Sequence, residues 1–558
     1  MRCARRLLVG LVAAACTTAP VGGLAGADPR SAGGDIGGSL AEDIVRVGGF
    51  ARVAAVAVSR TRVFVVADGG IALYDRLASR WLVPLPLPLD LTRTATTTLA
   101  AADPTSDALW VALGPRLWVV RPATHYFTSV QLSSDARELL VDKLGRGVYV
   151  YSNGWWLVSS TGSMSPLPGG QGPSRDDVVA NPDAQQILRD TPGLQAFGAL
   201  LTRDEQLRTW QLSALARAPE RNDVWAGTNG GGVFDVDPAF LRSTQMPFGL
   251  RTRGAAAVAL AADGAWIAEE PDASVSSDFG LTFASEDLAS WRWLSPVRGP
   301  LGVVSMSVRG HDACLATNAG TLIIDLSAKR FGEPRVYELA QVGRQLAAWS
   351  TTDGCWIGGT SGIARLPWTA DSAAAPTMIA DGRAAYAFAS SGDTVWAATQ
   401  AGVQRFVDGH PAARATSGIG DGAPAPLPNA LAGAIRGLAL AGDGLALLTD
   451  RELWLTTGEG RLGAAQRVEA PIDRLGRIRR IVADDRTVWL GGSRGAAALS
   501  LRDRRLRFVE LADPSLSFGL HASDPADVRD LALSPRVAWL ATAAGIVRIA
   551  RGDDGMPR

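Results

Sequence analysis

The chain has 558 residues, too many for one ordinary core, so two domains or one large repeat array are expected. Apolar residues make up 47% and charged residues 20%, and Lys+Arg balances Asp+Glu at 55 each. That balance, without a basic stripe, argues against nucleic acid as a partner.

The N-terminus reads as an export signal. Arg2, Arg5 and Arg6 form a basic region, Leu7 to Ala15 a short apolar one, and Ala25-Gly26-Ala27 a small-x-small cleavage site. A lipoprotein anchored at Cys16 is the alternative, although Ala13 sits where such a signal usually carries leucine. No later segment has a run of about 18 apolar residues, so no transmembrane segment is expected in the mature chain. Residues 1–27 are therefore assigned to a signal peptide and 28–42 to a flexible N-terminal segment.

From residue 43 onward a repeat dominates. The clearest copy is Asp223-Val224-Trp225-Ala226-Gly227-Thr228-Asn229-Gly230-Gly231-Gly232-Val233. Similar runs centre on Trp356, Trp396, Trp489 and Trp539, and weaker ones on Phe64, Trp110, Tyr149, Trp266, Leu315 and Leu447. Each copy gives alternating apolar residues, a glycine-containing turn, and two further short strands, which is the hairpin signature. One four-stranded sheet cannot bury both faces alone; blades stacked around an axis can. The reading is an all-β propeller of about eleven four-stranded blades, with two rings favoured because single rings typically hold about 4–8 blades, and one large ring as the alternative. The recurrent tryptophan is then the wedge between neighbours.

Blades 1–3 occupy 43–173 and blades 4–11 occupy 209–558. Asp43 to Val47 reads as a lone strand that completes the last blade, a clasp across the termini that removes two open edges. Residues 174–208 read as a helical insertion, opened by Ser174 ahead of Asp176-Asp177. The Gly-, Ala- and Pro-rich stretch 408–432 reads as loop.

The copy at 223–237 resembles the two-component-regulator propeller repeat. In that family such repeats form extracytoplasmic sensor domains of membrane histidine kinases. The resemblance implies a ligand-binding sensor module; the kinase half has no counterpart here, so a separate membrane sensor kinase is the partner it would imply. Ser276-Ser277-Asp278-Phe279-Gly280-Leu281-Thr282-Phe283 resembles the Asp-box of sialidase-type propellers, a structural turn in which glycine takes positive φ.

Catalytic and cofactor motifs are not evident. There is no nucleophile elbow, phosphate loop or calcium loop, and His125, His311, His410 and His521 lack ligand spacing. No catalytic residue, metal or cofactor is expected. Glu269 and Glu270 replace the usual turn residues in the Trp266 blade, as an acidic group at a propeller face or, more simply, a solvated loop. Trp155 and Trp156 fall on opposite faces of one strand, as an aromatic platform or as core packing. Cys314 and Cys355 stand at the same apparent offset in consecutive blades, which would face them into successive gaps as two free buried thiols. The function expected is an exported, non-catalytic, periplasmic or secreted propeller that binds a protein or glycan ligand as a sensor or scaffold. The alternative is a propeller hydrolase or lyase acting on a polysaccharide.

Overall fold

A computed structural model describes residues 43–558 except 86–97, 125, 180–183, 219–222, 273–277, 328–333, 369–375, 412–433, 457–464, 469–471, 510 and 512–525. The export signal, Cys16, the segment 28–42, most of 408–432, and Ser276-Ser277 lie outside the described residues.

Eleven four-stranded antiparallel sheets follow one another. Blades 1 to 4 span 53–81, 98–131, 138–166 and 212–246. Blades 5 to 8 span 255–297, 303–337, 345–381 and 385–411, and blades 9 and 10 span 437–468 and 478–509. Blade 11 takes three strands from 528–550 and its outer strand from Ile44–Val47, which pairs with Gly545–Ala550 in the register Ile44↔Ile549 to Val47↔Ile546.

Ring membership follows from the wedge residues. The wedge side chain, on the second strand of its blade, packs against the next blade: Phe64 on blade 2, Trp110 on blade 3, Trp266 on blade 6, Trp356 on blade 8, Trp396 on blade 9 and Trp489 on blade 11. Two wedges turn back instead. Trp539 of blade 11 packs on blade 5, and Trp225 of blade 4 packs on blade 1. Blades 5–11 therefore close as a seven-bladed ring, and blades 1–4 form a second array in the spatial order 3-2-1-4.

Between blades 3 and 4 the inner strands barely touch, and the insertion stands in the seam. Its start, 177–179, pairs with the inner strand of blade 3 (Val179 N–H donates to Val141 O at 2.8 Å). Its helices, Ala184–Asp190 and Pro192–Leu201, bury Ile187, Leu194 and Leu201 on the face of blade 4 opposite Trp225.

The two arrays share a core where the chain crosses between them. Residues 48–52 lead out of the large ring and 247–252 lead back, side by side: Phe50 N–H donates to Leu250 O at 2.7 Å, and Gly49 bridges Leu250. Phe248 lies 4.9 Å from Phe50, 4.7 Å from Trp81 and 5.2 Å from Trp291, ring centre to ring centre. Such aromatic pairs add about 0.5–1.5 kcal/mol each beyond the area they bury.

A second device recurs three residues after the wedge. Thr228, Thr317, Thr399 and Thr542 donate their hydroxyls to the carbonyls of Gly232, Gly320, Gly402 and Gly545 at 2.6–2.9 Å. These glycines have φ of 74°, 132°, 118° and 127°, which side-chain-bearing residues rarely adopt. The threonine pins the hairpin and thereby the blade's register.

That register corrects the reading of the cysteines. Counting back three residues from Thr317 makes Cys314, not Leu315, the wedge of blade 6, and from Thr449 it makes Ala446, not Leu447, the wedge of blade 9. A one-residue slip reverses which face a side chain takes. Cys314 faces blade 7, while Cys355, one residue before the wedge Trp356, faces back toward blade 6. The two are not free thiols but a disulfide, with Cα atoms 6.0 Å apart.

Across the axis of the large ring, Arg480 of blade 10 pairs with Asp530 of blade 11 at 3.0 Å and donates to Val304 O of blade 6 at 3.1 Å. Asp530 also accepts from Val258 N–H of blade 5 at 3.1 Å. Burial pushes its carboxyl above the usual range, against the pull of Arg480 and these N–H groups.

The disulfide spans 41 residues of sequence, so the loop-closure model assigns it about 4 kcal/mol. Cys355→Ser is expected to lower the thermal midpoint of the oxidised protein to that of the reduced wild type. Peptide mapping without reductant should recover the segments around 314 and 355 as one linked species; separate peptides would contradict the pairing.

Candidate functional site: a cleft at the junction of the two arrays

Blade 5 breaks the repeat at the position where its neighbours pin the turn. The residue three after Trp266 is Glu269, and the next strand begins only at Phe279, so the Thr–Gly hairpin of its neighbours has no counterpart here. Glu269 is 1% exposed. It accepts the backbone N–H groups of Arg251 and Thr252 at 3.1 and 3.3 Å, accepts the Thr282 hydroxyl, and lies 3.7 Å from Arg251 Nε. The reading of Glu269 as a solvated loop residue is thus overturned: it is the counter-charge of a buried arginine.

Arg251 is 3% exposed and comes from the returning crossover. Its guanidinium donates to Ser295 Oγ and, at 3.4 Å, to Asp278 O. Among the described residues its Nε is buried without a hydrogen-bond partner. Burial lowers its pKa, with Glu269 opposing that shift and Arg208 adding to it. Gly280 lies in the third strand of blade 5, without positive φ, and a Cβ there would sit 2.5 Å from Arg251 Nη2. The glycine of the Asp-box-like run therefore serves close approach to this arginine rather than a turn.

The second half of the network is the loop 202–210 that ends the insertion. Asp204 is its centre, accepting Gln206 N–H and Arg208 N–H at 2.9 Å, Arg208 Nε at 2.7 Å and Trp210 Nε1 at 3.1 Å. Arg208 reaches on to Asp278 and to Ser295 Oγ, both at 3.2 Å, and lies 5.3 Å from the Trp210 ring centre. The insertion is thereby locked to blade 5.

Outside this charged backing lies a cleft of about 400 Å³. Trp210 and Trp293 flank it, both half-buried, with Ser243, Gln245, Gln206, Arg203 and Asp325 around them. The two rings lean on the turn of blade 4. A Cβ on Gly231 would meet Trp210 at 2.4 Å, and one on Gly232 would meet Trp293 at 2.8 Å. Trp293 is held by its indole N–H, which donates to Gly249 O at 2.7 Å. The triple glycine of the clearest repeat copy thus makes room for two aromatic platforms.

The other sequence-nominated residues are elsewhere. Glu270 forms an ion pair with Arg529 of blade 11 at the entry end of the large ring. Trp155 and Trp156 are half-buried on opposite faces of blade 3. Trp156 shares the face of Val150 and Val158 toward blade 2, and Trp155 stacks on Tyr151 at 5.3 Å. On the same face as Trp155, Tyr149 and Arg146 both donate to Asp142, which is held at a pKa of about 2 because these bonds outweigh its burial. Sequence reasoning missed Arg251, Asp204, Arg208, Trp210 and Trp293. The signal available was the glutamate in a threonine position beside an unusual run of three glycines.

No family model matches the chain, and no curated protein matches it. Among solved structures, PorZ of Porphyromonas gingivalis, an essential surface component of the type-IX secretion system, is 13% identical over 90% of this chain and 69% of its own, with a TM-score of 0.39. The computationally designed protein Ika8 is 10% identical over 61% of this chain and 96% of its own, with a TM-score of 0.35. The extracellular domain of the one-component system BT4673 from B. thetaiotaomicron is 11% identical over 91% and 76%, with a TM-score of 0.29.

Glu269→Ala would leave Arg251 buried beside an empty site. Removing one partner of a buried pair costs about 3–5 kcal/mol, so a clear fall in thermal midpoint is expected. The double variant Arg251→Met/Glu269→Thr should recover most of the loss. A wild-type midpoint for Glu269→Ala would show that the pair is not what holds blade 5 to the crossover.

Proposed function

We propose that this chain is an exported, non-catalytic binding propeller that takes a carbohydrate in the cleft between its two arrays, as a sensor or scaffold module. The observation that carries the reading is the pair Trp210 and Trp293 across a cleft of about 400 Å³. Aromatic faces stack on the apolar faces of sugar rings, while amides, hydroxyls and charged groups around them bind ring hydroxyls. Gln206, Ser243 and Gln245 stand in that relation to the two indoles.

The groups behind the platforms support binding over chemistry. Asp204 and Glu269 are committed to arginine and backbone N–H groups, which fixes both carboxylates in place behind the platforms. General acid catalysis on a glycosidic bond needs a carboxyl that is free to give a proton. Export is supported by the disulfide, which persists in oxidising compartments, and by the signal-like N-terminal sequence.

Glycan-array binding with the full chain tests the reading. Selective binding is expected, weakened by an order of magnitude or more in Trp210→Ala and Trp293→Ala, consistent with about 1.4 kcal/mol or more per platform. A blank array alongside specific capture of an envelope protein would replace the carbohydrate by a protein ligand. Release of reducing ends from a bound polysaccharide would overturn the non-catalytic reading.

A further inference from the structure

The innermost strands of the large ring all run the same way, so their entry ends gather at one mouth. Arginine recurs at this entry: Arg253 in blade 5, Arg344 in blade 7, Arg383 in blade 8, Arg436 in blade 9 and Arg477 in blade 10. Some of these are neutralised. Arg253 pairs with Asp68 of blade 1 at 3.5 Å, and Arg436 pairs with Asp450 at 3.1 Å and lies 4.4 Å from the Tyr386 ring centre. Arg344, Arg383 and Arg477 are exposed, and among the described residues their guanidinium groups have no partner.

A second periodic feature sits on the same end. In six of the seven blades the inner strand carries a bulge at one equivalent position. The extra residue lies outside the ladder, on a strand whose free edge borders the axis. Blades 6 to 8 place Val304, Leu346 and Tyr386 there; blades 10 and 11 place Arg479 and Arg529. All five keep solvent exposure, and Val304 is 40% exposed. Arg479 pairs with Asp527 at 3.0 Å and Arg529 with Glu270, so the mouth is divided into an apolar arc and an arc of ion pairs, with the guanidinium groups of Arg344, Arg383 and Arg477 uncompensated on its rim. At the opposite end the first turns carry Asp263, Asp353, Asp393, Asp443 and Asp484, with Arg486 and Arg536 in the turns of blades 10 and 11.

We infer that this mouth binds an acidic peptide segment that carries large apolar side chains, at a site separate from the cleft. Guanidinium groups pair with carboxylates in charge-assisted hydrogen bonds, and three here lack such a partner. The apolar arc adds what an anionic sugar polymer would not use: surface for aliphatic or aromatic side chains spaced between the acids. The repeat explains the register of the match, since blades 7, 8 and 10 present free guanidinium groups at one equivalent position around one opening.

The test is fluorescence anisotropy with the full chain and a labelled peptide alternating glutamate with leucine. Binding is expected to weaken at least about tenfold in the triple variant Arg344→Gln/Arg383→Gln/Arg477→Gln, and to fall as salt rises. These side chains are exposed, so the variant should keep the wild-type melting curve; if it does not, the single variants are compared instead. The same peptide with glutamine for glutamate should not bind, and Trp210→Ala should bind the acidic peptide as wild type does. Retained affinity in the triple variant, absence of peptide binding, or displacement of the peptide by polygalacturonate at lower concentrations than by unlabelled peptide would each overturn the inference.

Discussion

The structure depends on one contact made again and again: an aromatic side chain on the second strand of a blade, buried against the next blade. A blade is a small sheet with two apolar faces, and it has no independent core. The wedge gives each sheet its neighbour and so decides where a ring closes. The interaction is paid for in part by lost hydrogen bonds. Among the described residues the indole N–H groups of Trp110, Trp356, Trp396 and Trp539 are buried without a partner, each an unfavourable contribution of about 1–3 kcal/mol. Shape is retained at that cost because a tryptophan fills the wedge-shaped gap with a large apolar surface. Trp225 and Trp539 carry the extra task of turning back to blades 1 and 5, and the aromatic cluster around Phe248 joins the two closures into one core.

Much of this was legible in the residues. Eleven sheets and their antiparallel hairpins follow from period and glycine turns, and the limit on ring size points to more than one closure; that blades 5–11 close as a ring while blades 1–4 form an array with the insertion in its seam does not follow from the period. The closing points were not legible, because Trp225 and Trp539 look like every other wedge; only three-dimensional packing shows which blade each one meets. The cysteine pairing is hidden in the sequence for a definite reason. In blade 6 the wedge is itself a cysteine, so the large residue Leu315 beside it suggests a frame one residue off, in which Cys314 faces the wrong way. The pinning threonine is the safer marker, since its hydroxyl bond to the turn glycine is tied to backbone geometry and not to side-chain size.

The candidate cleft was half visible for a similar reason. A charged residue in a threonine position marks a departure from the repeat, and departures from an otherwise consistent pattern tend to gather at functional sites. What the sequence hides is the partner: Arg251 lies 18 residues before Glu269 and outside any blade. The platforms Trp210 and Trp293 come from an insertion and from an outer strand, segments with no shared period. Their meeting on the Gly231-Gly232 turn is a property of how two arrays are joined.

Hydrogen exchange read by mass spectrometry on Trp539→Ala tests the wedge account most directly. If this side chain closes the seven-bladed ring, protection should fall in blades 5 and 11 and spread to blades 6–10, while blades 2 and 3 keep wild-type exchange. Equal loss of protection across blades 2 and 3, or no loss in blade 5, would contradict the two-array closure.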